Sequence, residues 1–232
     1  MNKTTLFFFA AALAASSSIH AEWKYGVGAG VGVFDIDGDL SLSSFSGEIE
    51  YDSGDMESAY VLQAYAATGN WTFRTSVASL EVEANQNIAG DTDLNFERMV
   101  WDLSAAYMGY QSGSWTIAYS IGVRGVSHEV SVNNTSASFD NDWTDIVIGT
   151  SASYALNTKW LWNSAIEAGF GGTEGSFGLN TGLTWRFAPQ WSVSSVLSWS
   201  AAEYEEGNSG SANYYFYDAN ETKLGFAVLY HF

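Results

Sequence analysis

The feature that most constrains this chain is a two-residue period in which bulky apolar side chains alternate with very small ones. Along 191–199 one face carries Trp191, Val193, Ser195, Leu197 and Trp199, and the other Ser192, Ser194, Val196 and Ser198. Along 115–123, Trp115, Ile117, Tyr119, Ile121 and Val123 oppose Thr116, Ala118, Ser120 and Gly122; along 160–170, Trp162, Ile166 and Phe170 oppose Asn163, Ala165, Glu167 and Gly169. A period of two is that of a β-strand. A soluble sheet turns Lys, Glu and Thr to water opposite its apolar face, whereas Gly, Ser and Ala are too small for that task. They suit the crowded interior of a closed barrel whose large residues face hydrocarbon.

Following the alternation predicts ten segments, 23–34, 58–67, 71–81, 98–110, 115–125, 144–156, 160–170, 177–187, 191–202 and 222–232. Each is close to the ~9–11 residues a tilted strand needs to cross a bilayer. Segment 58–67 leaves its outward face open between Tyr60-Leu62-Ala64 and Val61-Gln63-Tyr65, so eight strands stand as the alternative count. The connections alternate in length. Thr68-Gly69-Asn70, Ser112-Gly113-Ser114, Asn157-Thr158-Lys159 and Ala188-Pro189-Gln190 are short, while 35–57, 82–97, 126–143 and 203–221 are long and polar, with a shorter 171–176. Short turns at one rim and long loops at the other is the layout of bacterial outer-membrane barrels, with the short turns in the periplasm. The expected fold is all-β: a closed, antiparallel, up-and-down transmembrane β-barrel.

Every odd-numbered segment opens with tryptophan, namely Trp23, Trp71, Trp115, Trp160 and Trp191. An amphipathic ring favours the headgroup level, so these five are expected to form the periplasmic girdle. Trp101, Phe170, Phe177 and Trp199 are placed to form a second one. The single proline suits long regular strands, and 26 acidic residues against 8 Lys and Arg exclude nucleic acid as a partner. No cysteine is present, so an exported chain here forgoes disulfides.

The N-terminus has Lys3, an apolar run over 6–15, and Ser16-Ser17-Ser18-Ile19-His20-Ala21. This is the pattern of a secretory signal peptide cut after Ala21, because the run is too short for a spanning helix, which needs roughly 20 residues. Residues 1–21 are therefore expected to be removed and 22–232 to form the barrel domain. The C-terminus reads Leu224-Gly-Phe226-Ala-Val228-Leu-Tyr230-His-Phe232. It resembles the terminal β-signal of outer-membrane proteins, with Tyr230 and Phe232 as its aromatic positions and Ala227 where many such signals have glycine. The chain as a whole resembles the small Gram-negative outer-membrane barrels of eight to ten strands, in architecture and without a shared loop motif. The resemblance implies residence in the outer membrane, contact with its lipid and lipopolysaccharide, and handling by the barrel-assembly machinery during biogenesis.

The lumen is the first candidate site. Lys24, Arg74, Arg124, Arg186 and Lys223 fall on inward positions, as do Asp102 and Glu167. With a three-residue hairpin centred on Gly113, Asp102 and Arg124 stand directly opposite each other. Such charges either form a structural network plugging a narrow barrel or line a narrow positive pore. The acids of 35–57 and 203–221 give a solvated, repulsive surface that divalent ions bridge to lipopolysaccharide. Asp35-Ile-Asp-Gly-Asp39 opens like a calcium loop, but Ser46 stands where a bidentate Glu is needed, so no metal site is expected. Tyr214-Tyr215-Phe216-Tyr217 is either a contact patch or an extension of the last strand. An enzyme of this architecture needs a histidine held by a Ser or an acid. His128 with its neighbours Ser127 and Glu129 cannot form a triad on one extended segment, and needs Asp91 or Asp142 from elsewhere. No catalytic residue and no cofactor are expected. The expected role is structural or surface-interacting, with an unknown surface ligand; a porin-like channel for small solutes is the alternative.

Overall fold

The computed structural model describes residues 22–43, 45–86, 92–132, 138–211 and 213–232, so the expected signal peptide lies outside the described residues. Its strands are β1 Lys24–Leu42, β2 Phe45–Tyr51, β3 Met56–Thr68, β4 Trp71–Gln86, β5 Thr92–Ser112, β6 Trp115–Val132, β7 Ser138–Ala155, β8 Trp160–Phe170, β9 Gly175–Ala188, β10 Trp191–Glu206 and β11 Tyr215–His231. Neighbours pair antiparallel throughout, and β11 closes on β1 from Gly26↔His231 to Leu42↔Tyr215. Both β2 and β3 pair with β1, the first along its upper half and the second along its lower half. They are therefore one barrel stave interrupted by residues 52–55, and the barrel has ten staves rather than eight.

Two of the short connections are tighter than the sequence reading makes them, while the one around Asn157-Thr158-Lys159 is longer, with Ala155 and Leu161 as its last pair. Thr68 pairs with Trp71 and Ser112 with Trp115, leaving two-residue loops. Gly69 and Gly113 take the first loop position at φ 55° and 56°, where an L-residue with a side chain is strained. The Asp102↔Arg124 pairing is as expected, yet by a different route: the loop is one residue shorter and a bulge between Met108 and Tyr110 restores the register.

The larger correction concerns the predicted long loops. Most of 35–57, 82–97, 126–143 and 203–221 is strand, so that β5, for example, runs for 21 residues. In these upper segments the alternation continues with its polarity reversed. On β1 the outward residues Val27, Ala29, Val31 and Val33 give way to Asp35, Asp37 and Asp39, while the inward glycines give way to the buried Ile36, Leu40 and Leu42. On β11, Tyr215, Tyr217, Ala219 and Glu221 are buried while Asp218 and Asn220 face out. The acids that resemble loop composition are the wet face of a sheet.

The barrel thus has two zones. Below, the outside is apolar and the inside small: Val31, Tyr60, Leu62, Leu103, Tyr119, Ile121 and Phe226 are each about half exposed or more. Above, Ile36, Leu40, Leu42, Ile49, Tyr51, Leu80, Val82, Leu94, Phe96, Val130, Trp143, Tyr204, Tyr215 and Tyr217 form a buried core inside the wall. Trp101, Phe170, Phe177 and Trp199 face outward at the change of zone. At the opposite end Trp23, Trp71, Trp115, Trp160 and Trp191 are exposed, several of them against a second aromatic ring such as Tyr107, Tyr154 or Tyr230.

Candidate functional site

The interior of the upper zone centres on His128, which the sequence reading places in an outer loop. It lies on β6 opposite Arg98 of β5 and Asn141 of β7, points inward and is 1% exposed. Phe96, Trp143 and Tyr217 stand edge-on to its ring at 4.6–4.8 Å between centroids, and Nδ1 is hydrogen-bonded to Tyr215 Oη at 2.8 Å. Burial, reinforced by the charge of Arg98, holds the imidazole well below its ordinary pKa of 6.5, so it is neutral. Burial likewise raises the Tyr215 and Tyr217 hydroxyls, which stay protonated. This cage is a packed aromatic lid for the lumen.

Beneath it runs a ladder of charge. Arg98 clasps Glu221 with both terminal guanidinium nitrogens, Nη1 to Oε1 and Nη2 to Oε2, the latter at 2.7 Å; Tyr217 Oη donates to Glu221 Oε1 at 3.0 Å, and Lys223 Nζ approaches Oε2 at 2.8 Å. Arg124 joins Asp102, Nε to Oδ1 at 2.8 Å, and Glu167, Nη2 to Oε1 at 2.5 Å. Three bases meet three acids, the condition under which buried charges persist. Asp145, also inward, is engaged elsewhere: it accepts from Gly172 N, Thr173 N, the Thr173 hydroxyl and Ser176, which fastens the 171–174 turn.

The predicted lumen residues therefore do not make one network. Asp102, Arg124 and Glu167 come together, and Lys223 joins Arg98 and Glu221, neither of which the sequence reading places inside. Lys24, Arg74 and Arg186 sit nearer the short-turn end with no ion-pair partner among the described residues. At that rim His231 is hydrogen-bonded on both sides, Nδ1 to Tyr65 Oη at 2.7 Å and Nε2 to Ser192 Oγ at 2.8 Å. Tyr65 of β3 reaches it across β1 because Gly26 leaves room; any Cβ there would collide with the ring. Tyr230 packs on Trp191, and Phe232 N donates to Tyr25 O at 3.0 Å, so the terminal segment is bound to both neighbours of the closing seam.

Among the described residues the enzymatic grouping is not assembled. Ser127, Glu129 and Asp142 face outward, on the other side of the wall from His128, and Asp91 lies outside the described residues. Asp35, Asp37 and Asp39 form an outward row on β1 rather than a loop, and no metal-holding cluster occurs among the described residues. Of the 214–217 aromatics, Tyr215 and Tyr217 point into the core, as the strand-extension alternative has it. The strand register also aligns acids sideways. Glu48, Asp39, Asp218 and Glu203 are direct neighbours across β2, β1, β11 and β10, and Glu81, Glu97, Glu129 and Asp140 across β4 to β7. Like charges facing each other across strands are destabilising.

No protein-family model matches the chain, and no curated protein matches it. Its fold is similar to that of the outer membrane protease OmpT from Escherichia coli, with TM-score 0.62, 8% identity, and 93% of this chain and 99% of that chain covered. Neisserial surface protein A matches at TM-score 0.39 and 13% identity over 90% and 97% of the two chains, and Ail of Yersinia pestis at 0.39 and 9% over 91% and 99%. The closed ten-stave barrel with a lipid-type outer face is an outer-membrane β-barrel, the architecture of the Gram-negative outer membrane. In bacterial outer-membrane barrels the short turns lie in the periplasm and the longer connections outside the cell.

Proposed function

We propose that this is an integral outer-membrane protein, matured by removal of residues 1–21, that carries a rigid, acidic, non-conducting turret above the lipid for surface interaction. The observation that carries this reading is the lumen: among the described residues a buried aromatic core lies above two groups of paired charge and fills the inside of the upper zone. The interaction partner we assign is lipopolysaccharide, through divalent cations that relieve the two outward rungs of opposed carboxylates. Biogenesis through the barrel-assembly machinery rests on Tyr230 and Phe232 of the terminal signal.

Planar-bilayer recording of the refolded chain tests the reading. The expected outcome is the absence of discrete conductance steps. Regular ohmic steps would replace it with the porin-like alternative, which draws support from the Gly- and Ser-lined lower lumen. A proteolytic role is disfavoured because His128 is sealed in the core and His231 is held by Tyr65 and Ser192. Cleavage of a fluorogenic peptide library by wild-type protein in detergent, above a mock preparation, would overturn that part.

A further inference from the structure

The inward charges are distributed unevenly. The upper lumen pairs Arg98, Lys223 and Arg124 with Glu221, Asp102 and Glu167, whereas the lower lumen holds Arg74 and Arg186 without a carboxylate partner among the described residues. Arg74 lines a cavity of about 150 Å³ together with Asn70, Thr72, Thr116, Ser151 and Ser153. Gly69 and Asn70, the β3–β4 turn, also form part of the lining, so the cavity lies at the periplasmic mouth. The nearest rung above does not serve Arg74: Ser104 stands opposite it across β4–β5, and Asp102, one inward position higher, is held by Arg124.

A guanidinium has five N–H donors and no acceptor. Set in a concave site with four hydroxyls and a carboxamide, it offers charge-assisted and neutral donors converging on one space and no competing anion. We propose that the periplasmic vestibule around Arg74 is a binding site for a small oxyanion, with Thr72, Thr116, Ser151 and Ser153 donating alongside the guanidinium. The site takes phosphate or sulfate free in the periplasm, or the carboxylate end of a larger molecule entering from below. This inference is independent of the turret reading, because the vestibule lies beneath the charge rungs and does not require a conducting lumen.

Isothermal titration of the refolded chain in detergent at low chloride tests it, with inorganic phosphate in one arm and N-acetylglycine in the other. Saturable one-site binding is expected, weakening as NaCl is raised and falling roughly tenfold or more in Arg74→Gln, the loss expected for a charge-assisted bond. Binding of phosphate alone identifies the free inorganic anion, and binding of N-acetylglycine a carboxylate-bearing molecule. The heat-modifiable shift on electrophoresis reports whether Arg74→Gln folds; if it does not, Thr116→Val provides the same comparison with a severalfold loss expected. Absence of saturable binding in both arms, or an affinity unchanged in a folded variant, overturns the proposal.

Discussion

The two zones of the barrel solve the same folding problem with opposite arrangements of side chains. The lower zone points Val31, Leu62, Leu103 and Ile121 into hydrocarbon and fills its centre with Gly, Ser and Ala, whereas the upper zone buries Ile36, Leu80, Phe96 and Tyr217 and shows carboxylates to water. One set of continuous strands carries both. Because every strand alternates its faces, the change needs no new topology, only an exchange of residue size and polarity between odd and even positions at the level of Trp101 and Trp199. The solvent outside the wall dictates which face is apolar.

If the upper zone is a true interior, severing its charge clasp is the most damaging change. Arg98→Met leaves Glu221 buried with Lys223 as its only cation and is expected to cost about 3–5 kcal/mol, while the triple change Arg98→Met, Glu221→Leu and Lys223→Met, which removes every charge of the cluster, recovers most of that loss. Guanidinium unfolding of the variants in lipid vesicles measures it; a single variant as stable as wild type would mean the core is wet. The same strand then offers a contrast between outer faces. Ile121→Arg, in the lipid-facing band of β6, is expected to destabilise by about 2–4 kcal/mol, whereas Glu129→Arg higher on β6 should stay within about 0.5 kcal/mol of wild type. Equal effects at the two positions would erase the boundary between zones.

A smaller effect follows from His128. Its folded-state pKa lies well below 6.5, so the unfolded chain takes up the proton first as the pH falls. Stability from this group is full above pH 6.5 and declines below it, by up to about 1.4 kcal/mol per pH unit, until the folded imidazole itself protonates. Unfolding midpoints at pH 7.5 and 5.5 should therefore differ more for wild type than for His128→Phe. The smallest change expected is Asp218→Asn, which interrupts the rung Glu48–Asp39–Asp218–Glu203. It should stabilise by a few tenths of a kcal/mol at low salt and by nothing measurable at 1 M, where charges more than ~3 Å apart are screened.

The lower zone was legible in the sequence because lipid demands a contrast of size that survives in single residues, such as Trp191 and Leu197 against Ser192 and Ser198. The upper zone was not, because Asp35, Asp37 and Asp39 carry the composition of a loop and conceal the alternation of Ile36, Leu40 and Leu42 between them. The same period runs through 215–221, with Tyr215, Tyr217, Ala219 and Glu221 on one face, which puts Glu221 inside, and continued along 126–132 it puts His128 beside it; Arg98 already opens segment 98–110 on the parity of the inward Asp102. The pair Asp102–Arg124 is legible because both residues fall within segments that carry the lipid-level alternation. The split of the second stave left no sequence mark beyond Asp52-Ser-Gly-Asp55, a turn composition indistinguishable from that of the hairpin tips.

That split has a practical side. Residues 52–55 leave the wall and return to it, pinned by Asp55 N to Asp52 O at 3.1 Å, by Asp52 N to the Asp55 carboxylate at 3.0 Å and by Glu83 N to Asp55 O at 2.9 Å. Ser53 and Gly54 sit between these fastenings, with Gly54 N bound only to the Asp52 side chain. A guest peptide grafted between them would ride on the flank of the turret rather than at its summit, so the protein offers a display scaffold whose cargo is held at a fixed height on the cell.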